Sequence, residues 1–128
     1  MKKLLILTVA LALMGCAAKP TAYDPVRIFY ARPLIIEEWY RDLHAQMERC
    51  SGKHQSFDSI QWFMVAPGGM GRTESGEHAG LWSFPNRIYL DAKYVLADVV
   101  IRHELMHYLM QEGDSAHDDP IFAACTQI

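Results

Sequence analysis

Hydrophobic positions divide the chain into a few clearly different stretches. Leu4 to Met14 is an unbroken apolar run. It is too short to span a bilayer as an ordinary helix. From Leu34 to about Cys50 the apolar residues Leu34, Ile35, Trp39, Leu43 and Met47 recur at near-helical spacing. Charges such as Glu37, Glu38, Arg41 and Asp42 lie between them, and this predicts an amphipathic helix. Pro33 suits the first turn of that helix, and Ser51-Gly52 its end.

Ser59 to Ala66 alternates in the manner of a strand, with Ile60, Trp62, Met64 and Ala66 on one side and Gln61, Phe63 and Val65 on the other. Pro67-Gly68-Gly69-Met70-Gly71 breaks it, and the polar, glycine-rich stretch to Ala79 reads as a loop. Gly80 to Phe84 and Arg87 to Leu90 are two further short strands, with Pro85-Asn86 as the turn of a hairpin. From Asp91 or Asp98 to Gln111 or Glu112 the spacing is helical again. Two adjacent stripes carry the apolar residues: Val95, Val99, Met106 and Leu109 with Arg102, and Leu96, Val100 and Met110 with His103 and His107. A helix apolar over that much of its circumference is a buried, central one. Gly113 is the expected left-handed stop. Asp114 to Ile128 is irregular until Pro120, with a short helical turn after it. Helix, strands, helix in that order predicts an α+β fold.

The leading segment reads as an address. Met1-Lys2-Lys3 is basic, the apolar run follows, and Leu13-Met14-Gly15-Cys16 closes it. That tetrapeptide resembles a bacterial lipobox. The resemblance implies a signal peptide over residues 1–15, cleavage before Cys16, and lipid on the Cys16 thiol and its new amino group. It would place the protein in the cell envelope, held to the membrane by that lipid. Ala17 rather than Asp follows Cys16, which in a double-membrane bacterium resembles outer-membrane sorting. Residues 16–33, with Pro20, Pro25 and Pro33, would then be a tether and residues 34–128 one domain. Losing Lys2 and Lys3 from 12 basic residues against 15 acidic ones takes the formal net charge from −3 to −5. No basic patch of the kind that nucleic acid requires is present. Of three cysteines, lipidation uses Cys16 and leaves Cys50 and Cys125. These form a disulfide in an oxidising compartment, or stay as two buried thiols.

The chemistry lies in His103-Glu104-Leu105-Met106-His107. Four residues apart on a helix, both imidazoles share one face and can share one metal ion. Zinc suits neutral imidazole, and a catalytic zinc has three protein ligands and one open position. Glu104 can take a proton from a water activated by the metal, as general base in the attack on a carbonyl. In an apolar helix such polar residues are costly unless they have partners, and a metal is the economical one. The stretch Val99 to Leu109 resembles the active-site helix of zincin metallopeptidases.

Candidates for the third ligand are His117, Glu112, Asp114, Asp118 and His78. The metzincin pattern is absent, because Met110 and Gly113 stand where it needs Gly and His. A straight helix would carry His117 about 15 Å past His107. A reversal at Gly113 followed by four extended residues, spanning up to about 13 Å, can bring it back. Asp114 and Asp118 suit acceptance of a histidine N–H better than ligation. The segment Gly113-Asp114, His117, Pro120, Phe122 and Cys125 resembles a group of small bacterial zincin-like lipoproteins, and that resemblance implies His117 as third ligand. His78, His44 and His54 read as solvated surface residues, and Tyr108, Tyr89 and Tyr94 as core with satisfied hydroxyls. Trp62, Trp82 and Phe84 read as packing under the sheet.

The resemblance implies a minimal zincin. A leading helix and the metal helix would lie on one face of a small, mostly antiparallel sheet of about three strands, with Gly80–Phe84 as its edge beside the cleft. The expected activity is zinc-dependent hydrolysis of peptide bonds, in a peptide or in the peptide part of peptidoglycan, with His103, His107 and His117 on the metal. Two other readings stand beside it: a zinc-binding lipoprotein without activity, and a zincin-derived scaffold for protein contacts. A binder has no use for Glu104.

Overall fold

The computed structural model describes residues 30–73 and 76–127. The expected signal peptide, Cys16 and the expected tether up to residue 29 lie outside the described residues. The fold is α+β. Its elements in chain order are β1 (Arg32–Pro33), α1 (Glu38–Ser51), β2 (Gln61–Val65), β3 (Arg72–Thr73), β4 (Gly76–Glu77), β5 (Gly80–Ser83), β6 (Arg87–Asp91), α2 (Asp98–Met110) and α3 (Pro120–Thr126), with 3-10 turns at Phe57–Ser59 and Asp114–Asp118. No helix among them is long and apolar enough to cross a membrane.

Four strands form one sheet in the order β1-β2-β6-β5, and β3 and β4 form a separate two-stranded ribbon inside the stretch expected to be loop. The main sheet is mixed. Both of its edges are antiparallel, whereas β2 and β6 run parallel at its centre, Trp62 opposite Ile88 and Phe63 opposite Tyr89. Parallel neighbours need a long crossover, and the chain between Val65 and Arg87 supplies it.

Alternation assigns the two faces. Trp62, Ile88 and Leu90 point towards the helices and join Tyr40, Leu43, Met47, Ile101, Leu105, Met106 and Phe122 in the main core. On the other face Phe63 stacks on Tyr89 at 5.0 Å, beside Val65 and Met70. The glycine-rich turn after β2 is therefore packed rather than open. Its Met70 is buried, and the Gly68 N–H donates to the buried Asp91 carboxylate at 2.6 Å.

The ends of the helices depart from the periodic pattern. Residues 34–37 are not helical, because the Leu34 N–H donates to the Trp62 carbonyl and continues the β1 pairing. Pro33 lies in an edge strand, where its missing N–H costs no ladder bond, and Ile35 is 94% exposed. At the far end Gly52 closes α1 with φ 68°. The stop of α2 is Gln111 with φ 55°, not Gly113, whose φ is −80°. The Gln111 side chain holds that left-handed turn by donating to the carbonyls of Tyr108 and Pro85, at 2.6 and 3.0 Å. Leu96 and Val99, expected on the buried stripes, are exposed at the mouth of α2. From Ile101 to Leu109 only His103 is less than fully buried.

A disulfide joins Cys50 at the end of α1 to Cys125 in α3, across 75 positions. It ties the C-terminal helix to the leading one.

Candidate metal centre

His103 and His107 stand one turn apart on α2. The chain then reverses at Gln111, and the 3-10 turn Asp114–Asp118 carries His117 back over them. Ala116, fully buried, anchors that turn. Asp119 caps α3 by accepting the Ile121 N–H at 2.9 Å, with Pro120 in the first turn. The Nε2 atoms of the three histidines lie 3.2, 3.2 and 3.1 Å apart. Glu112, Asp114, Asp118 and His78 are outside this cluster. Glu112 contributes in another way: its backbone carbonyl accepts the His107 Nδ1–H at 2.9 Å. A carbonyl thus holds His107 where a carboxylate of Asp114 or Asp118 was expected.

A carbonyl only accepts, so Nδ1 of His107 carries the proton and Nε2 is a bare lone pair when the ring is neutral. Neutrality is favoured. Burial, and then the neighbouring His107 and His117, push His103 down to about 4. Burial also lowers His107, against the Glu112 carbonyl, which raises it. Three imidazole nitrogens aimed at one point repel one another unless a cation lies between them. Tetrahedral zinc–imidazole bonds of about 2.0–2.1 Å place neighbouring nitrogens about 3.3 Å apart, which the cluster nearly matches. The three histidines could hold one metal ion.

Glu104, next in sequence to His103, packs against the edge strand β5. It is buried, and desolvation lifts its carboxyl to about 8 despite the backbone hydrogen bond from Trp82. Space for it comes from Gly80, where a Cβ would meet the Glu104 Cγ and Oε1 at 2.7 Å. The β5–β6 ladder explains the Trp82 contact. Ala79 and Asp91 are hydrogen-bonded partners, so in this register the backbone groups of Gly80 and Trp82 face away from β6. The free edge of the sheet thus turns towards Glu104.

Aromatic rings complete the surroundings. The Trp82 indole lies parallel to His107 at 6.4 Å. Phe84 meets Trp82 edge-on at 6.1 Å and is 70% exposed, so it forms an outer wall rather than packing under the sheet. Beneath the triad the Phe122 ring touches all three imidazoles, at 4.9, 4.8 and 4.7 Å.

Other expected positions resolve individually. His44 is not a surface residue. It is 4% exposed, because the turn at Phe57–Ser59 folds over it and Phe57 packs on its ring at 5.3 Å. His54 is exposed near Glu48. The Tyr108 hydroxyl is buried and donates to the Ser56 carbonyl at 2.7 Å, a structural role. Gly80, the Glu112 carbonyl and the floor position of Phe122 escape sequence reasoning. The one hint in the sequence is that strand β5 begins on a glycine.

No family model, curated protein or solved structure matches the chain.

Proposed function

We propose that the protein is a zinc-dependent peptidase of zincin-like type. The observation that carries the reading is the convergence of three Nε2 atoms within 3.2 Å, two of them on the helix that sets Glu104 against the edge strand β5. Zinc fits the donor set, which is all imidazole, at a spacing close to tetrahedral. When bound it supplies Lewis acidity, which brings the pKa of water towards about 7 and polarises a carbonyl.

The chain's own residues supply the rest. His103, His107 and His117 hold the ion, with His107 oriented by the Glu112 carbonyl. Glu104 takes the proton of the attacking water and can return it to the leaving amine. A cation in the triad favours its ionised form and so offsets the burial that lifts its carboxyl to about 8. An extended peptide fits along β5, where the outward backbone groups of Gly80 and the Trp82 carbonyl can pair with it, the Trp82 N–H being held by Glu104. Phe84 and Trp82 then line the path to the triad. Glu104 is what favours hydrolysis over simple zinc capture. With the lipobox-like segment ending at Cys16, the peptidase would act in the cell envelope, on protein or on peptidoglycan peptides.

The test is hydrolysis of a library of peptides and cell-wall peptide fragments by the purified protein. Activity should vanish with a chelator and return with zinc. A protein that binds zinc tightly and cleaves nothing in such a library would instead be a metal-binding lipoprotein.

A further inference from the structure

We propose that Gln111 is a positioning residue of the histidine cluster: its side chain holds the turn that orients His107 and returns His117. The inference rests on the metal reading of the triad and needs no peptidase activity.

Residue 111 is where α2 ends and the chain reverses. Its φ of 55° and ψ of 35° are left-handed, a conformation that residues other than glycine, asparagine and aspartate rarely adopt. Glycine is the common occupant of such a helix stop, yet the nearby Gly113 has φ −80° and does not serve as one. Gln111 therefore needs another source of stability. Its side-chain amide supplies it, donating to the Tyr108 carbonyl at 2.6 Å and to the Pro85 carbonyl at 3.0 Å. Both protons of the amide are thus used. Tyr108 belongs to the last turn of α2 and Pro85 to the turn between β5 and β6, so residue 111 is pinned between helix and hairpin.

The consequence of the turn appears at the next residue. The Glu112 N–H donates to the His107 carbonyl at 3.3 Å, and the Glu112 carbonyl accepts the His107 Nδ1–H at 2.9 Å. Backbone and ring of His107 are both clasped by the residue that Gln111 aims. A carbonyl only accepts, so the clasp selects the Nδ1–H tautomer and leaves Nε2 bare towards the triad. Beyond Glu112 the chain enters the 3-10 turn Asp114–Asp118, which sets the His117 Nε2 3.1 Å from that of His107. A right-handed or extended residue at 111 would send the Glu112 carbonyl and His117 elsewhere.

Histidine ligands are oriented through their other ring nitrogen, and losing that support typically costs about 10- to 100-fold in metal affinity. For His107 the support is a backbone carbonyl, which no side-chain substitution removes directly. Gln111 acts one step behind it, through the conformation of the chain. Glycine at 111 would permit the turn without holding it, since it samples left- and right-handed conformations alike.

Wild type, Gln111→Ala and Gln111→Gly test the proposal. Both variants lose the two side-chain hydrogen bonds, but only alanine disfavours the left-handed turn. Zinc affinity, from competition with a chromogenic chelator, should fall about 10- to 100-fold in Gln111→Ala. It should stay within about threefold of wild type in Gln111→Gly. A folded Gln111→Ala protein with wild-type affinity would overturn the proposal, and so would a folded Gln111→Gly protein as weak as Gln111→Ala. A second readout needs neither metal nor variant. Long-range proton–nitrogen correlation spectra of metal-free wild type at about pH 8, where imidazoles are neutral, should show His107 protonated at Nδ1. Free histidine prefers Nε2, and His107 in Gln111→Ala should shift towards that form. Wild-type His107 protonated at Nε2 would overturn the proposal even if Gln111→Ala failed to fold. Wild type that binds no zinc would instead overturn the metal reading, and the tautomer would still decide the role of Gln111.

Discussion

Gly80 lies directly against Glu104. A Cβ at residue 80 would come within 2.7 Å of the Glu104 Cγ and Oε1 and 3.0 Å of its Cδ. The edge strand β5 and α2 therefore approach as closely as they do only because residue 80 has no side chain. Gly80→Ala must push the carboxylate or the strand aside. Overpacking of this kind costs about 1–3 kcal/mol, and a displacement near 1 Å of a reacting group costs about 100-fold in rate. Metal content should be unchanged, since the triad lies on other side chains. Denaturation curves, metal analysis and kcat/KM on one cleaved peptide check this; full activity in the variant would show that Glu104 needs no such space.

Removing His117 should reduce zinc affinity by at least 100-fold, beyond the roughly 10- to 100-fold typical of a supporting residue. His78→Ala should leave affinity unchanged, as His78 is outside the cluster. Competition titration with a chromogenic chelator measures both. Equal affinities for wild type and His117→Ala would restrict the site to the α2 pair.

Glu104→Gln should keep the metal and lower kcat by about 10²- to 10⁴-fold. Glutamine fills the same space and still accepts the Trp82 N–H, but it cannot take up the proton of the attacking water. A variant as fast as wild type on the same peptide would remove Glu104 from the mechanism.

Buried groups of two kinds give the metal-free protein opposite pH dependences, Glu104 on one side and the histidines on the other. Glu104 is raised from 4.5 to about 8 by desolvation, so the folded state keeps a proton that the unfolded chain gives up. Its contribution is fully present below about pH 4.5 and is lost as pH rises towards 8. His44 is lowered from 6.5, mainly by burial, with Glu48 and the Gln55 backbone opposing and Arg41 reinforcing. That contribution is present above pH 6.5 and is lost as pH falls below it. Urea melts across pH 4–9 should show Glu104→Gln flattening the alkaline side and His44→Phe removing part of the acid side, the rest of which belongs to His103 and His107. If neither variant changes its side of the profile, other groups govern stability.

Replacing both Cys50 and Cys125 by Ala should destabilise the domain by about 2–4 kcal/mol, the usual range for a long closed loop. The loss should reach the metal centre, because α3 carries Phe122 three residues before Cys125. Guanidinium unfolding with and without zinc measures it. A double variant as stable as wild type would mean that core packing alone holds α3 in place.

The pairing of His103 with His107 was legible in the sequence because it is local. Four residues on a helix fix the relative direction of two side chains whatever the rest of the chain does. The same holds for the hydrophobic alternation of β2 and β6, which divides the sheet into two buried faces, and for the β5–β6 hairpin. Long-range features were only bounded. Counting cysteines left Cys50 and Cys125 as possible partners, and chain length showed only that His117 was able to return. Its actual return depends on Gln111 adopting a left-handed turn that glycine would take more readily. The carbonyls of Tyr108 and Pro85 hold Gln111 there, and Pro85 is 26 positions away. The burial of His44 under Phe57, the exposure of Phe84, the contact of Gly80 with Glu104 and the place of Phe122 under three imidazoles all arise where separate elements meet. A periodic pattern reports which face of an element is apolar. Only packing decides which residue of another element that face meets, and those meetings set the space and desolvation of Glu104 and the floor of the triad.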